Sequence, residues 1–223
     1  MTLGFTVEEN IKHFFEEIPS SVEIIAVTKT VDVDRIKLAA KAGIKNIGEN
    51  KVQEALNKFN DLKDFNLKWH LIGSLQSNKA KKAVEIFDLI HSIDSVKLAN
   101  VVNKEAEKLS KVQNVLLQVN VSREETKSGF SIEDLFKALT ELSCLKNLNI
   151  IGLMTIGSNT DDENQIRFCF SELRKIKDKI NKDKYFKNEL NILSMGMSND
   201  YKIAIEEGAN FVRLGRAIFG ERK

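Results

Sequence analysis

Short runs rich in β-branched residues alternate along the whole chain with longer segments of helical periodicity. Several of these runs are apolar almost throughout, as parallel strands buried on both faces are. The eight predicted strands are 24–28, 46–48, 68–73, 89–92, 115–121, 150–155, 191–194 and 211–214. Eight β-then-α units in 223 residues predict an α/β fold, a single (β/α)8 TIM-type barrel with an extra N-terminal helix.

A doubly wound open sheet is the main alternative, because it also alternates strands with helices. In an open sheet, polar residues would concentrate at one topological switch point. Here they follow nearly every predicted strand, which favours the barrel. The chain has no linker, low-complexity tract or shift in composition, so residues 1–223 are predicted to form one domain.

Three predicted helix starts have a hydroxyl residue followed three positions later by an acidic one, and the last of the three is predicted to be a capping box. The three segments are Thr6-Val-Glu-Glu9, Ser131-Ile-Glu-Asp134 and Thr160-Asp-Asp-Glu163. Apolar residues then recur at spacings of three and four, as expected for helices that pack on one face against a sheet.

Composition excludes several classes of protein. The net charge is only +2 and no basic block is present, so nucleic acid is not an expected partner. No apolar run approaches the ~20 residues of a membrane span and no signal segment precedes the first helix, which predicts a cytoplasmic protein. The two cysteines, Cys144 and Cys169, are expected to be buried free thiols. The three histidines show no metal-site spacing, and no metal is expected.

Lys29 directly follows the first apolar strand. A barrel builds its sites from the residues that follow its strands, so this amine is expected at the functional end. Burial there would favour the neutral amine, the form that condenses with an aldehyde to give a Schiff base. The alternative is a lysine that extends into solvent, and most of the 27 lysines are of that kind.

The last two predicted strands lead into segments suited to an anion. Leu193-Ser-Met-Gly-Met-Ser198 contains the hydroxyl of Ser194 and small residues, and Phe211-Val-Arg-Leu-Gly-Arg216 contains Arg213, Gly215 and Arg216. Barrels commonly bind phosphate after strands seven and eight, where helix N-termini present free N–H groups. The competing interpretation is that these glycines only shape tight turns. Together with Lys29, the segments suggest a ligand with both an aldehyde and a phosphate, and pyridoxal 5′-phosphate (PLP) is the obvious candidate.

Other residues at the strand ends are less specific. Asn50 could donate a hydrogen bond to a ligand, whereas Glu49 fits a charge at a helix start. Met154 and Met197 could line an apolar wall around a ring, although each could equally be ordinary core filling. Lys127, in the loop after the fifth strand, is expected to be a surface charge.

Taken together, the motifs resemble those of the pyridoxal phosphate homeostasis protein family over nearly the whole chain. The resemblance lies in 26–29, 47–50, 69–79, 91–94, 118–120, 127–129, 152–155, 193–198 and 212–220. It implies a barrel similar to the N-terminal domain of alanine racemase, with Lys29 as the Schiff-base lysine. One departure is visible, since Val31 and Asp32 stand where a proline commonly follows the Lys-Thr pair.

The resemblance also implies roles for the remaining residues. Ser194 and the backbone N–H groups of Gly215 and Arg216 would hold the phosphate, and Arg213 would face the pyridine nitrogen. A permanently charged arginine there disfavours protonation of the ring and weakens it as an electron sink. In alanine racemase a tyrosine from the other subunit's second domain supplies an opposing acid–base group, and this chain has only Tyr185 and Tyr201.

Three hypotheses follow from these residues. The first is a PLP-binding protein, a monomer, that stores or delivers the cofactor to PLP-dependent apoenzymes without robust turnover. The second is a PLP-dependent amino-acid racemase-like enzyme that uses Lys29. The third is a Schiff-base aldolase in which Lys29 attacks a sugar phosphate with no cofactor.

Overall fold

Eight parallel strands close into a barrel in the computed structural model, and the barrel follows chain order from β1 to β8. The structure describes residues 6–122, 124, 127–158 and 160–220. The strands are β1 Glu23–Val27, β2 Asn46–Glu49, β3 Lys68–Leu71, β4 Leu89–Ile93, β5 Gln113–Gln118, β6 Leu148–Met154, β7 Ile192–Met197 and β8 Phe211–Leu214. Pairing of β8 with β1 closes the sheet, so the predicted TIM-type barrel is confirmed.

Helices follow the strands and surround the barrel, and one further helix precedes β1 as expected. They are α1 Val7–Glu17, α2 Val33–Lys41, α3 Val52–Leu62, α4 Ala80–Ile86, α5 Val96–Lys108, α6 Ile132–Ser143, α7 Glu163–Lys182, α8 Tyr201–Glu206 and α9 Arg216–Phe219. Two short 3₁₀ turns, Lys63–Phe65 and Ser77–Lys79, lie before β3 and α4.

The N-cap residue agrees with the sequence at two of the three predicted helix starts. Thr6 forms a complete capping box with Glu9, and Ser131 accepts a hydrogen bond from the backbone of Asp134. At α7 the prediction of Thr160 as the cap was wrong. Asp162 is the N-cap and accepts from the backbone N–H of Asn164, while Thr160 accepts from the N–H of Asp162 just before the helix begins.

The seventh strand is longer than its sequence suggested. It was predicted to end at Ser194, but it continues to Met197 with a register shift against β8. Gly196 within it has φ +90°, and a Cβ there would come within 2.6 Å of Ala204 Cβ. A glycine therefore allows the extension, and it moves Ser194 from the strand end to the strand interior.

The apolar core has two parts. The larger lies between the barrel and its helices, and a small cluster of Leu89, Leu116 and Met154 packs separately. Cys169 is buried as expected, but Cys144 is exposed at the end of α6, so its predicted burial was wrong. Among the described residues, no helix could cross a membrane and no cluster of side chains could hold a metal ion.

Candidate functional site

A cavity of about 1000 Å³ opens at the carboxyl ends of the strands. This volume is at the upper end of the range of about 300–1,000 Å³ that small-molecule and cofactor sites span. Six of the eight predicted site residues line it. They are Lys29, Asn50, Met197, Arg213, Gly215 and Arg216. The closed barrel therefore brings together residues that lie up to 187 positions apart in the chain, from Lys29 to Arg216.

Lys29 lies on a tight turn that follows β1. The turn is closed by a hydrogen bond of 3.0 Å from the N–H of Val31 to the carbonyl of Thr28. Its third residue, Thr30, has φ +60°, a conformation that β-branched residues rarely adopt. The N–H of Thr30 donates to Glu54 Oε1 at 2.5 Å. The turn is thus held from outside by α3, and it places the half-buried Lys29 on the cavity wall.

A buried ionic cluster lies beneath this turn, between the barrel and α3. Lys58 Nζ donates to Glu49 Oε1 at 2.8 Å, to Glu54 Oε1 at 2.7 Å and to the carbonyl of Thr28 at 2.8 Å. Thr28 Oγ1 also donates to Glu49 Oε1, at 2.7 Å. These bonds fix the residues on both sides of Lys29 while leaving its side chain on the opposite, cavity side.

The pKa values of the two carboxylates in this cluster, Glu49 and Glu54, are shifted in opposite directions. Burial raises the pKa of Glu49 above its ordinary value of 4.5, despite the hydrogen bonds from Lys58 and Thr28. Partial burial also opposes ionisation of Glu54, yet its bonds from Lys58 and Thr30 hold the pKa of Glu54 below 4.5. The sequence suggested Glu49 only as a helix-start charge, and nothing in it connected Lys58 with Lys29.

Asn50 is positioned by a close backbone contact with Gly73. A Cβ on Gly73 would lie 2.3 Å from the carbonyl oxygen of Asn50 and 2.7 Å from its Cα. Only glycine allows the two loops, which follow β2 and β3, to touch in this way. The contact fixes the backbone from which Asn50 reaches the cavity wall.

Ser194 lies inside the barrel and is not among the cavity-lining residues. It is fully buried, and its Oγ accepts a hydrogen bond of 2.8 Å from Arg213 Nη1. Ser198, four residues further along, follows the end of β7 and lines the cavity. Ser198 therefore has the exposure that was expected of Ser194. Sequence inspection missed this because the extension of β7 depends on Gly196.

Arg213 points its guanidinium from β8 towards the centre of the barrel and is only 4% exposed. Besides Ser194, it donates from Nη2 to the carbonyl of Thr155 at 2.8 Å. Burial lowers the pKa of Arg213 to about 10, with the nearby Asp200 acting in the opposite direction. The side chain therefore stays charged at neutral pH, at the bottom of the cavity.

The turns after β7 and β8 form the anion-binding part of the wall that the sequence suggested. Ser198 and Asn199 line it from one strand end, and Gly215 and Arg216 from the next. The two helices that follow are short, with six residues in α8 and four in α9. The backbone N–H groups of these turns and the charge of Arg216 thus face an anion bound at this wall.

The two methionines have different environments. Met197 is 39% exposed and lines the cavity, as a wall residue would. Met154 is buried with Leu89 and Leu116 and does not line the cavity, which matches the core-filling alternative.

Lys127 is not the free surface charge that the sequence suggested. Its Nζ donates to the carbonyl of Gly157 at 2.8 Å and to Glu124 Oε1 at 2.6 Å, and the residue lines the cavity. It joins the loop after β5 to the loop after β6 at the cavity wall.

Comparison with known proteins places the chain in a family. Residues 6–223 match the family model described as alanine racemase, N-terminal domain. A pyridoxal phosphate homeostasis protein of Aquifex aeolicus is 42% identical over 201 residues, which cover 90% of this chain and 87% of the relative. One from Synechocystis is 43% identical over 209 residues, covering 92% and 94%. The chain belongs to the pyridoxal phosphate homeostasis protein family.

Solved structures agree with this assignment. PipY of Synechococcus elongatus, described with PLP bound, is 37% identical, has a TM-score of 0.90 and covers 96% of this chain and 100% of its own. An alanine racemase of Clostridium difficile has a TM-score of 0.82 at 16% identity, and the match covers 97% of this chain and 56% of the racemase. At that identity the racemase shows a shared fold and nothing more.

Neither tyrosine of this family member lies on the cavity wall. Tyr201 begins α8 and packs edge-on against Phe14 of α1, with ring centroids 5.8 Å apart. Tyr185 follows α7 and packs, half-buried, against the outer core. Both rings therefore lie among the helices outside the barrel.

Proposed function

We propose that this protein binds PLP in the cavity, holds it as a Schiff base on Lys29 and serves PLP homeostasis or delivery without robust catalytic turnover. The observation that carries the proposal is the meeting, in one cavity, of the Lys29 amine with the charged Arg213 and the turn of Gly215 and Arg216. PLP binding by the homologous PipY supports it.

The residues present fit the chemical groups of PLP. The amine of Lys29 suits the aldehyde, and the turn N–H groups of Gly215 and Arg216 suit the phosphate. Ser198 adds a hydroxyl on the same wall, whereas we assign Ser194 an indirect part through its bond with Arg213. Met197 offers a flexible apolar surface to the ring and Asn50 a polar group to its substituents.

Electrostatics at the bottom of the cavity argue for a carrier. When bound, PLP supplies an aldehyde that condenses with amines and a ring that withdraws electrons once its nitrogen is protonated. Arg213 is already charged, and its bonds to Ser194 and Thr155 hold the guanidinium in place. A fixed positive charge near the ring nitrogen opposes its protonation, which lowers the capacity of the site to stabilise a carbanion.

A weak racemase-like activity is the second candidate, and the match of residues 6–223 to the family model of the alanine racemase N-terminal domain favours it. Lys29 could remove a proton from one face of an amino-acid substrate, but Tyr185 and Tyr201 are outside the cavity and supply no group on the other face. We therefore expect any such turnover to be slow and to disappear in Lys29→Ala.

Borohydride reduction tests the covalent part of the proposal. PLP is added to the full chain, the mixture is reduced, and the modified lysine is mapped by peptide mass spectrometry. We expect the adduct on Lys29, its loss in Lys29→Ala, and an unchanged adduct in Lys51→Ala, which removes an exposed lysine beside Asn50. Absence of an adduct in the wild-type protein, or an adduct that survives Lys29→Ala at full yield, would contradict the proposal.

Three further features belong to the same proposal. We place the binding function in a single domain of residues 1–223 that acts as a cytoplasmic monomer of 25.3 kDa. We take PLP-dependent apoenzymes as recipients of the cofactor, because a lysine Schiff base exchanges reversibly with other amines. Sedimentation of the purified chain tests the monomer, and transfer of PLP to an apoenzyme tests the delivery role.

A further inference from the structure

A continuous row of hydrogen-bonded side chains runs through the barrel interior, from its amino-terminal end to the bottom of the cavity. We call it the interior chain, and its members in order are Glu23, Asn46, His70, His91, Ser194 and Arg213. It includes two of the three histidines in the sequence, neither of which the binding site described above uses.

Its links are short at every step. Asn46 Nδ2 lies 2.8 Å from Glu23 Oε2, and Asn46 Oδ1 lies 3.2 Å from His70 Nε2. His70 Nδ1 is 2.9 Å from His91 Nε2, and His91 Nδ1 is 3.0 Å from Ser194 Oγ. Because β4 and β7 are not neighbours in the barrel, the last bond can only cross its interior.

The middle of the interior chain is buried and uncharged at neutral pH. His70 is 3% exposed and His91 is fully buried, and the ring of Phe211 packs against both imidazoles, with centroids 5.7 and 6.1 Å away. Burial lowers the pKa of His70 to about 3, and burial together with the neighbouring His70 and Arg213 lowers the pKa of His91 well below 6.5. Each ring therefore has one N–H donor and one bare acceptor nitrogen at neutral pH.

The carboxylate of Glu23, at the end of the interior chain away from Arg213, determines which ring nitrogen of each histidine carries the proton. Glu23 only accepts hydrogen bonds, so Asn46 must turn its NH₂ group towards Glu23 and its oxygen towards His70. An amide oxygen also only accepts, and His70 must therefore carry its proton on Nε2. The reversed amide would place its oxygen against the carboxylate of Glu23, with two acceptors facing each other.

The tautomer of His70 then determines the tautomer of His91 and the direction of the Ser194 hydroxyl bond. With its proton on Nε2, neutral His70 has a bare Nδ1, which must accept from Nε2–H of His91. His91 in turn has a bare Nδ1, which must accept the hydroxyl proton of Ser194. That hydroxyl has used its only proton, so its lone pairs are left to accept from Arg213 Nη1.

We propose that Glu23 and Asn46 act as positioning residues for Arg213, by fixing the tautomers of His70 and His91 and so directing the Ser194 hydroxyl proton to His91. A reversed row of hydrogen bonds would make Ser194 Oγ accept from both His91 and Arg213 and would leave its hydroxyl proton with no acceptor in the row, which weakens the bond from Arg213 Nη1. The consequence for the cofactor rests on the proposed function, since Arg213 matters to PLP only if PLP binds beside it. The tautomers themselves do not depend on any ligand.

The direct test is nuclear magnetic resonance of the full chain with ¹⁵N-labelled histidine and no ligand. Long-range ¹H–¹⁵N correlations distinguish a protonated from a bare ring nitrogen. We expect both His70 and His91 to be neutral with the proton on Nε2. A proton on Nδ1 of His91, or a doubly protonated ring, would overturn the proposal.

A variant of Glu23 tests whether this residue sets the direction of the hydrogen bonds along the interior chain. Glu23→Gln replaces an acceptor-only group with one that can also donate, at an exposed position that leaves the packing intact. We expect a second population of His91 with the proton on Nδ1. Asn149→Leu is the matched control, because this asparagine bonds to Asn114 at 2.8 Å, outside the interior chain, and should leave the histidine signals unchanged.

The effect on the cofactor is measured separately. If PLP binds as proposed, Glu23→Gln should weaken its affinity about three- to tenfold, the factor expected for one weakened hydrogen bond. Asn149→Leu should bind like the wild-type protein. Wild-type tautomers in Glu23→Gln, or equal weakening of PLP binding in both variants, would refute the positioning role. Failure of the wild-type protein to bind PLP would instead refute the proposed function and leave the tautomer result standing.

Discussion

Glu49 and Glu54 share one lysine but differ in what ionisation does to the fold. Glu49 is fully buried, and only one of its oxygens is bonded to Lys58 and Thr28. Its other oxygen, Oε2, is buried with no hydrogen-bond partner in the described part of the chain. Glu54 is 24% exposed and accepts from both Lys58 and the Thr30 backbone. The surroundings therefore disfavour the ionised form of Glu49 and stabilise the ionised form of Glu54.

The pH dependence of stability should separate the two. Because the folded-state pKa of Glu49 is raised, its contribution to stability is complete below pH 4.5 and is lost as the pH rises through the raised pKa. Glu49→Gln cannot ionise, so it should become more stable relative to the wild-type protein as the pH rises above 4.5. Urea unfolding at a series of pH values measures the difference in free energy of unfolding.

Glu54→Gln is the matched control and should respond with the opposite sign. The pKa of Glu54 is lowered, so its contribution is present above pH 4.5 and is lost as the pH falls through the lowered pKa. Its variant should lose stability relative to the wild-type protein as the pH rises towards 4.5 and then stay level. Parallel curves for the two variants would show that the assignment is wrong.

The sequence predicted those site residues whose position depends only on the local pattern of apolar residues. Lys29 and the Arg213 to Arg216 segment stand at strand ends that periodicity alone locates, and both line the cavity. Ser194 was misplaced relative to the cavity because the end of β7 depends on a positive φ at Gly196. Lys58 was missed because its partners Thr28 and Glu49 lie 30 and 9 positions away, and a buried ion pair leaves no periodic pattern.

At the scale of elements, strands were predicted well because near-continuous apolar runs are a strong signal. Helix starts depend on a single side chain and are harder. In Thr160-Asp-Asp-Glu163 three residues can act as caps, and the sequence does not rank them. The structure selects Asp162, whose side chain accepts a hydrogen bond from the N–H of Asn164 in the first turn of α7.

Cap substitutions should show this choice as a difference in stability. Asp162→Ala removes the acceptor for Asn164 N–H at 3.0 Å and should lower the free energy of unfolding by about 1 kcal/mol. Thr160→Ala removes a bond outside the helix and should cost less. Ser131→Ala, which removes the cap of α6, gives the reference loss for a true N-cap. A larger loss in Thr160→Ala than in Asp162→Ala would restore the cap that the sequence suggested.

On the scale of the whole molecule, barrel closure explains why distant segments make one site. Pairing of β1 with β8 places Ile25 beside Arg213, so the first and last strand ends adjoin. The same closure lets β4 reach β7 across the interior and completes the chain of hydrogen bonds behind Arg213. Sequence periodicity predicts that a barrel forms, but it cannot show which inward side chains meet, because that depends on strand register.

Ligand-linked stability tests the proposed function on the intact fold. A ligand that binds only the folded state stabilises it by about 2.7 kcal/mol at a concentration of one hundred times Kd. For a chain of this size, PLP should then raise Tm by roughly 5–10 °C. Lys29→Ala should lose most of that shift, and so should wild-type protein given pyridoxine 5′-phosphate, whose alcohol cannot form a Schiff base. If Lys29→Ala with PLP melts as high as the wild-type protein does, binding energy comes from the phosphate and ring contacts and the covalent link is dispensable.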